Sequence, residues 1–83
     1  MKNYPHLSKS IGKVIEILRI ERGMSKSALA DYADIQRCYL LEILNGKKNP
    51  TMNVVYSICE ALQIDPVEFV CMVNEEIKKL ENS

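Results

Sequence analysis

Apolar residues recur at spacings of three and four along most of this chain, and a helix stop or start signal breaks the recurrence at short intervals. An α-helix turns once in about 3.6 residues, so this spacing gathers the apolar side chains into one stripe per segment. No segment sustains a period of two, so no strand is expected. Short helices with one apolar stripe each can bury them only against one another. An all-α bundle is the fold class this pattern predicts.

The punctuation sets the number of helices. Ile11, Val14, Ile15 and Leu18 form the first stripe, with Ser8 or Ser10 as cap, Arg22 near the end and Gly23 beyond it. Ser25 caps a short second helix, about Lys26 to Ala33, with Leu29 and Ala30 inward. It stops at Asp34, which tolerates left-handed backbone better than most residues. The third helix runs from about Gln36 to Asn45, with Ile35, Leu40 and Ile43 inward. Gln36, Arg37, Leu41 and Glu42 are left outward or at the margin. Gly46 ends it, and "KKNP" forms a loop. Thr51 caps a fourth helix, about Met52 to Leu62, with Val54 or Val55, Ile58 and Leu62 buried. Asp65 followed by Pro66 is a cap with proline in the first helical position. It opens a fifth helix, about residues 65–81. Residues 1–7, polar and with Pro5, read as a flexible arm. Residues 8–83 read as a single domain.

Eighty-three residues bury a limited core, and association is one common remedy. With 47% hydrophobic and 27% charged residues the chain is folded rather than disordered. Net charge is zero but unevenly distributed. Nine Lys and Arg face five acids up to residue 50, and two face six beyond it. A basic front half suits an anionic partner. Cys38, Cys59 and Cys71 are odd in number and not at metal-like spacing, as expected of reduced thiols in a cytoplasmic protein. The longest apolar run, Phe69–Val73, is too short to span a membrane. The N-terminus has no apolar signal segment. The lone histidine, His6, lies in the arm. Paired carboxylates, a Gly-rich phosphate loop and a metal-ligand cluster are all missing. No enzyme activity, cofactor, metal or small-molecule ligand is expected.

A short helix, a tight turn and a second short helix, with a small residue where they cross, is a helix-turn-helix. Ala30, Asp34, Leu40 and Ile43 supply its spacing, over about residues 26–45. The segments "IGKVIEILRIERGMS", "LADYADI", "YLLEILNGKKNPT" and "SICEALQIDPVEF" resemble the five-helix phage-repressor/Cro class, the XRE-like regulators with a lambda-repressor-like fold. "QRCY" is similar to the controller proteins of restriction–modification systems. The resemblance implies a transcriptional regulator that binds double-stranded DNA as a homodimer on a palindromic operator.

In such proteins the second motif helix enters the major groove by its N-terminal end. Gln36, Arg37 and Cys38 stand there. Arg37 suits guanine O6 and N7. Gln36 either pairs with adenine or occupies the cap region. Cys38 either touches a thymine methyl or is an inert thiol. Tyr39 either meets a phosphate or packs its ring. The resemblance makes Lys26 a phosphate contact, with Lys47, Lys48 and Asn49 in the adjoining loop. Three departures stand out: Leu44 replaces a frequent Glu paired with Arg19, Leu41 a small polar residue, and Asp34 a frequent Gly. Arg19 then needs another partner, solvent or phosphate. Leu41 would contact thymine methyls or a protein. The alternative function is a protein-interaction module with weak or no DNA binding.

Val70, Val73, Ile77 and Leu80 are spaced like an a/d seam in the last helix, the expected dimer contact. A fifth helix folded back on its own bundle is the competing arrangement.

Overall fold

The computed structural model describes residues 1–82. Five helices are present among the described residues: α1 Leu7–Glu21, α2 Lys26–Ala33, α3 Arg37–Leu44, α4 Met52–Leu62 and α5 Pro66–Glu81. No strand occurs among the described residues. Ser83, the last residue of the expected domain, lies outside them.

Three of the expected caps form. Ser25 Oγ accepts from the Ala28 N–H at 3.0 Å, Thr51 Oγ1 from Val54 at 3.3 Å and Asp65 Oδ1 from Val67 at 2.8 Å. Each such bond contributes about 1 kcal/mol by satisfying an orphan helix donor. The start of α1 differs from the expectation. His6 is its N-cap, with no side-chain cap bond, so neither Ser8 nor Ser10 caps the helix. A turn in which the Leu7 N–H donates to the Tyr4 carbonyl begins the helix earlier. Ser10 then falls inside the helix and is fully buried.

Asp34 adopts the left-handed conformation expected of it, with φ 56°. Gln63 does the same at the end of α4, a position no sequence signal marked. At Gly46, φ 74°, the α3 end closes through Gly46 N–H to Ile43 O and Lys47 N–H to Glu42 O.

The stripes meet in one core. Val14, Ile15 and Leu18 of α1 join Leu29 and Ala30 of α2, Leu40 and Ile43 of α3, Ile58 and Leu62 of α4, and Phe69 of α5. α1 is the central strut, packed on both α3 and α5. It approaches α3 so closely that a methyl at Gly12 would lie 2.6 Å from the Ile43 carbonyl oxygen and 2.7 Å from that of Leu44.

The second half of α5 folds back onto α1. Val73, expected in a dimer seam, is only 5% exposed and belongs to the chain's own core. Ile77 packs partly against that core, and Leu80 is half-buried. Val70 is 52% exposed. The four therefore do not share one free face. The stripe turned toward the bundle runs through Phe69, Val73 and Glu76, at i, i+4 and i+7.

Candidate nucleic-acid interface

α2 and α3 cross where Ala30 and Ala33 let the backbones approach, and both alanines are almost fully buried. The left-handed turn at Asp34 redirects the chain, and Ile35 N–H donates back to Ala30 O. This geometry turns the start of α3 outward. Gln36 is the N-cap residue, in extended backbone, but its side chain makes no cap bond. Arg37 is the first helical residue. It is exposed, and its guanidinium has no hydrogen bond or ion pair among the described residues. Cys38 beside it is an exposed free thiol.

Tyr39 packs its ring partly against the core, and Lys48 Nζ lies 5.9 Å from the ring centroid. That is within cation–π reach. Lys48 also pairs with Glu42 at 3.6 Å. Gln36, Cys38, Tyr39, Glu42 and Lys48 surround one shallow hollow of about 420 Å³. Leu41 is half-buried. Asn49 Oδ1 accepts a hydrogen bond from Ser8 Oγ at 2.6 Å, which ties the loop to the first turn of α1. The Asn49 amide nitrogen is left as a donor. Lys47 is exposed in the same loop. Lys26 stands elsewhere, at the start of α2, where it borders a second hollow with Lys9, Lys13 and Glu16 of α1 and Leu44 of α3.

Arg19 found a partner within its own helix. Its Nε donates to Glu16 Oε1 at 2.8 Å and its guanidinium also to the Met24 carbonyl at 2.7 Å. The Arg19 bond holds the Glu16 carboxyl below its ordinary range. With Leu44 unable to accept, Arg19 turns to α1 rather than to solvent or phosphate.

The sequence reading missed Ser8 as a support of the loop. Ser8 and Asn49 are 41 residues apart, and no local pattern links them. No local pattern marks Glu76 as an inward residue either, yet it is 6% exposed. Its carboxylate pairs with Lys13 of α1 at 3.2 Å and with Lys79 at 3.3 Å. Among the described residues no helix is long and apolar enough to cross a membrane.

A model of the helix-turn-helix family matches residues 15–69, well over half the chain and all of the α2–α3 pair. The chain belongs to this family. As a helix-turn-helix protein it is similar to an uncharacterised transcriptional regulator, y4dJ of Sinorhizobium fredii. The two are 28% identical over 69 residues, which cover 83% of this chain and 90% of that protein. The transcriptional regulator ClgR of Mycobacterium tuberculosis is 33% identical over 54 residues, 65% of this chain and 48% of its own length. The chain thus spans about half of ClgR. Among solved structures, the restriction–modification controller protein C.Esp1396I superposes with a TM-score of 0.81 at 28% identity, covering 94% of this chain and 99% of that one. A variant of C.Esp1396I bound to its highest-affinity operator site superposes at 0.78 with 28% identity, covering 86% and 93%. The family is one of DNA-binding transcriptional regulators, not enzymes.

Proposed function

We propose that this helix-turn-helix protein is a sequence-specific regulator that acts in the cytoplasm and binds a palindromic operator as a homodimer through the major groove. The observation that carries the reading is Arg37. It is an unpaired guanidinium on the exposed first turn of the second motif helix, flanked by the uncapped Gln36 side chain and the Cys38 thiol. Two parallel N–H donors match guanine O6 and N7. Gln36, Cys38 and Leu41 complete the base-reading set. Lys26, Tyr39, Lys47, Lys48 and Asn49 contact phosphates and position α3.

The dimer contact runs along the outer side of α5, where Val67 is 72% and Val70 52% exposed. Ile77 and Leu80 extend that contact with their exposed edges. The burial of Val73 removes it from the set. A two-fold pair would set two α3 helices about 34–36 Å apart on one DNA face. The likeness to C.Esp1396I continues through α5, past residue 69 where the family match stops. That supports a controller-type regulator over a phage repressor.

Selection of bound sequences from random DNA with the intact chain, followed by footprinting, tests the reading. An inverted repeat is expected, with affinity falling steeply as salt rises because neutralised phosphates release counterions. Recovery of no preferred sequence would instead mark a protein-interaction module.

A further inference from the structure

Glu76 is a carboxylate buried between two helices of a small domain, and burial disfavours a charge unless it is paired. Its partners come from two directions, Lys13 Nζ of α1 at 3.2 Å and Lys79 Nζ of its own helix at 3.3 Å. Both lysines are otherwise open to solvent, with side chains 57% and 72% exposed. The ammonium of Lys13 beside it holds the carboxylate below its ordinary range.

Apolar content alone would not choose this arrangement. Val70, Val73, Ile77 and Leu80 make a stripe that is apolar throughout. Val73, Ile77 and Leu80 already face the bundle, and a further turn of α5 about its axis that brought Val70 in would carry Glu76 toward solvent. The observed helix instead buries Glu76 and leaves Val70 half in solvent. Phe69 anchors the start of α5 in the core, and for the turns beyond it the choice is whether Val70 or Glu76 is the side chain taken inward. A specific buried ion pair is well suited to choose between settings of similar hydrophobic content, because only one of them keeps the charge paired.

The neighbouring residue gives this choice a consequence. Gly12 sits against the carbonyls that end α3, and Lys13 grips Glu76 of α5. Consecutive residues of α1 thus hold the groove helix and the outer helix in one frame. We infer that the Lys13–Glu76 pair is the key that fixes the rotation of α5 on α1, and through it the spacing of the two half-sites that the dimer reads. The inference rests on the dimeric reading above, and Glu76 acts as a positioning residue that never touches DNA.

The experiment is selection of operators from random DNA by three forms of the full chain, with sedimentation of each. The forms are wild type, Glu76→Leu, and the full charge exchange Lys13→Glu, Glu76→Lys and Lys79→Glu. Wild type is expected to return one half-site spacing. Glu76→Leu, which leaves no buried charge unpaired, is expected to stay folded and dimeric. It should return several spacings, with roughly tenfold weaker binding at the wild-type spacing. The exchange should restore the single spacing.

A Glu76→Leu dimer that keeps one spacing at full affinity overturns the proposal. So does an exchange variant that folds, dimerises and still accepts several spacings. An unfolded Glu76→Leu chain also counts against it, because the pair would then be supporting the fold rather than choosing a setting. If wild type itself is monomeric or selects single half-sites, it is the dimeric reading that fails, before any variant enters.

Discussion

α3 and the second half of α5 both carry charges among apolar residues, yet they use them in opposite ways. On α3 the guanidinium of Arg37 has no partner among the described residues, and the helix is only eight residues long. On α5, twice that length, Glu76 is buried and held from two sides. A charge kept in water with no partner can meet a ligand without first breaking an ion pair. A charge already paired and buried can only hold structure. The contrast supports the proposed ligand contact at the start of α3 and the proposed aligning role of the end of α5. It also shows why net charge zero is a poor guide to this chain, since charges that serve the fold cancel those that are free to bind.

The largest effect should come from the largest α5 side chain in the common core. Phe69 is 2% exposed and anchors α5 in the common core. Phe69→Ala should destabilise the domain by about 3–5 kcal/mol, read by denaturant unfolding. Val70→Ala, one residue on, should change stability by less than about 0.5 kcal/mol. Equal losses at the two positions would mean that α5 has no outer face.

Next is the proposed base reader on α3. Arg37→Ala should weaken binding to the cognate operator by about 1–3 kcal/mol and relax preference at one base step, with unfolding unchanged. Uniform weakening on cognate and random DNA would reduce Arg37 to a phosphate contact.

The loop sharpens the contrast between free and paired charge within three residues. Lys47 is exposed, while Lys48 already faces Glu42 at 3.6 Å. Lys47→Ala should lower the salt slope of binding by about one unit on every sequence. Lys48→Ala should lower it less. The reverse order would show that Glu42 releases Lys48 to the DNA.

The smallest effect is the pH response of α5. Lys13 bonding lowers the Glu76 carboxyl from its ordinary 4.5. The stabilisation is therefore fully present above that value and is lost as pH falls through the lower, folded-state value. Comparison of Tm for wild type and Glu76→Gln should show a gap at neutral pH that closes in acid. A gap that widens in acid would mean the carboxylate is not stabilised by its lysines.

The sequence by itself determined the five helices, because every signal it used is local. Ser25, Thr51 and Asp65 bond the N–H groups two or three residues ahead, and Asp34 turns on its own backbone preference. The same reach made Arg37 readable, since the first turn of a short helix after a tight turn faces outward whatever packs behind it. Tertiary structure decided the rest. Ser8 was taken for a cap because its partner Asn49 is distant in sequence and adjacent only after folding. Val70 and Val73 were placed on one seam because spacing tells which residues share a side of a helix. It does not tell which side meets the bundle. That depends on where α1 lies, and on Lys13 of α1 drawing Glu76 inward, a contact between elements at opposite ends of the chain.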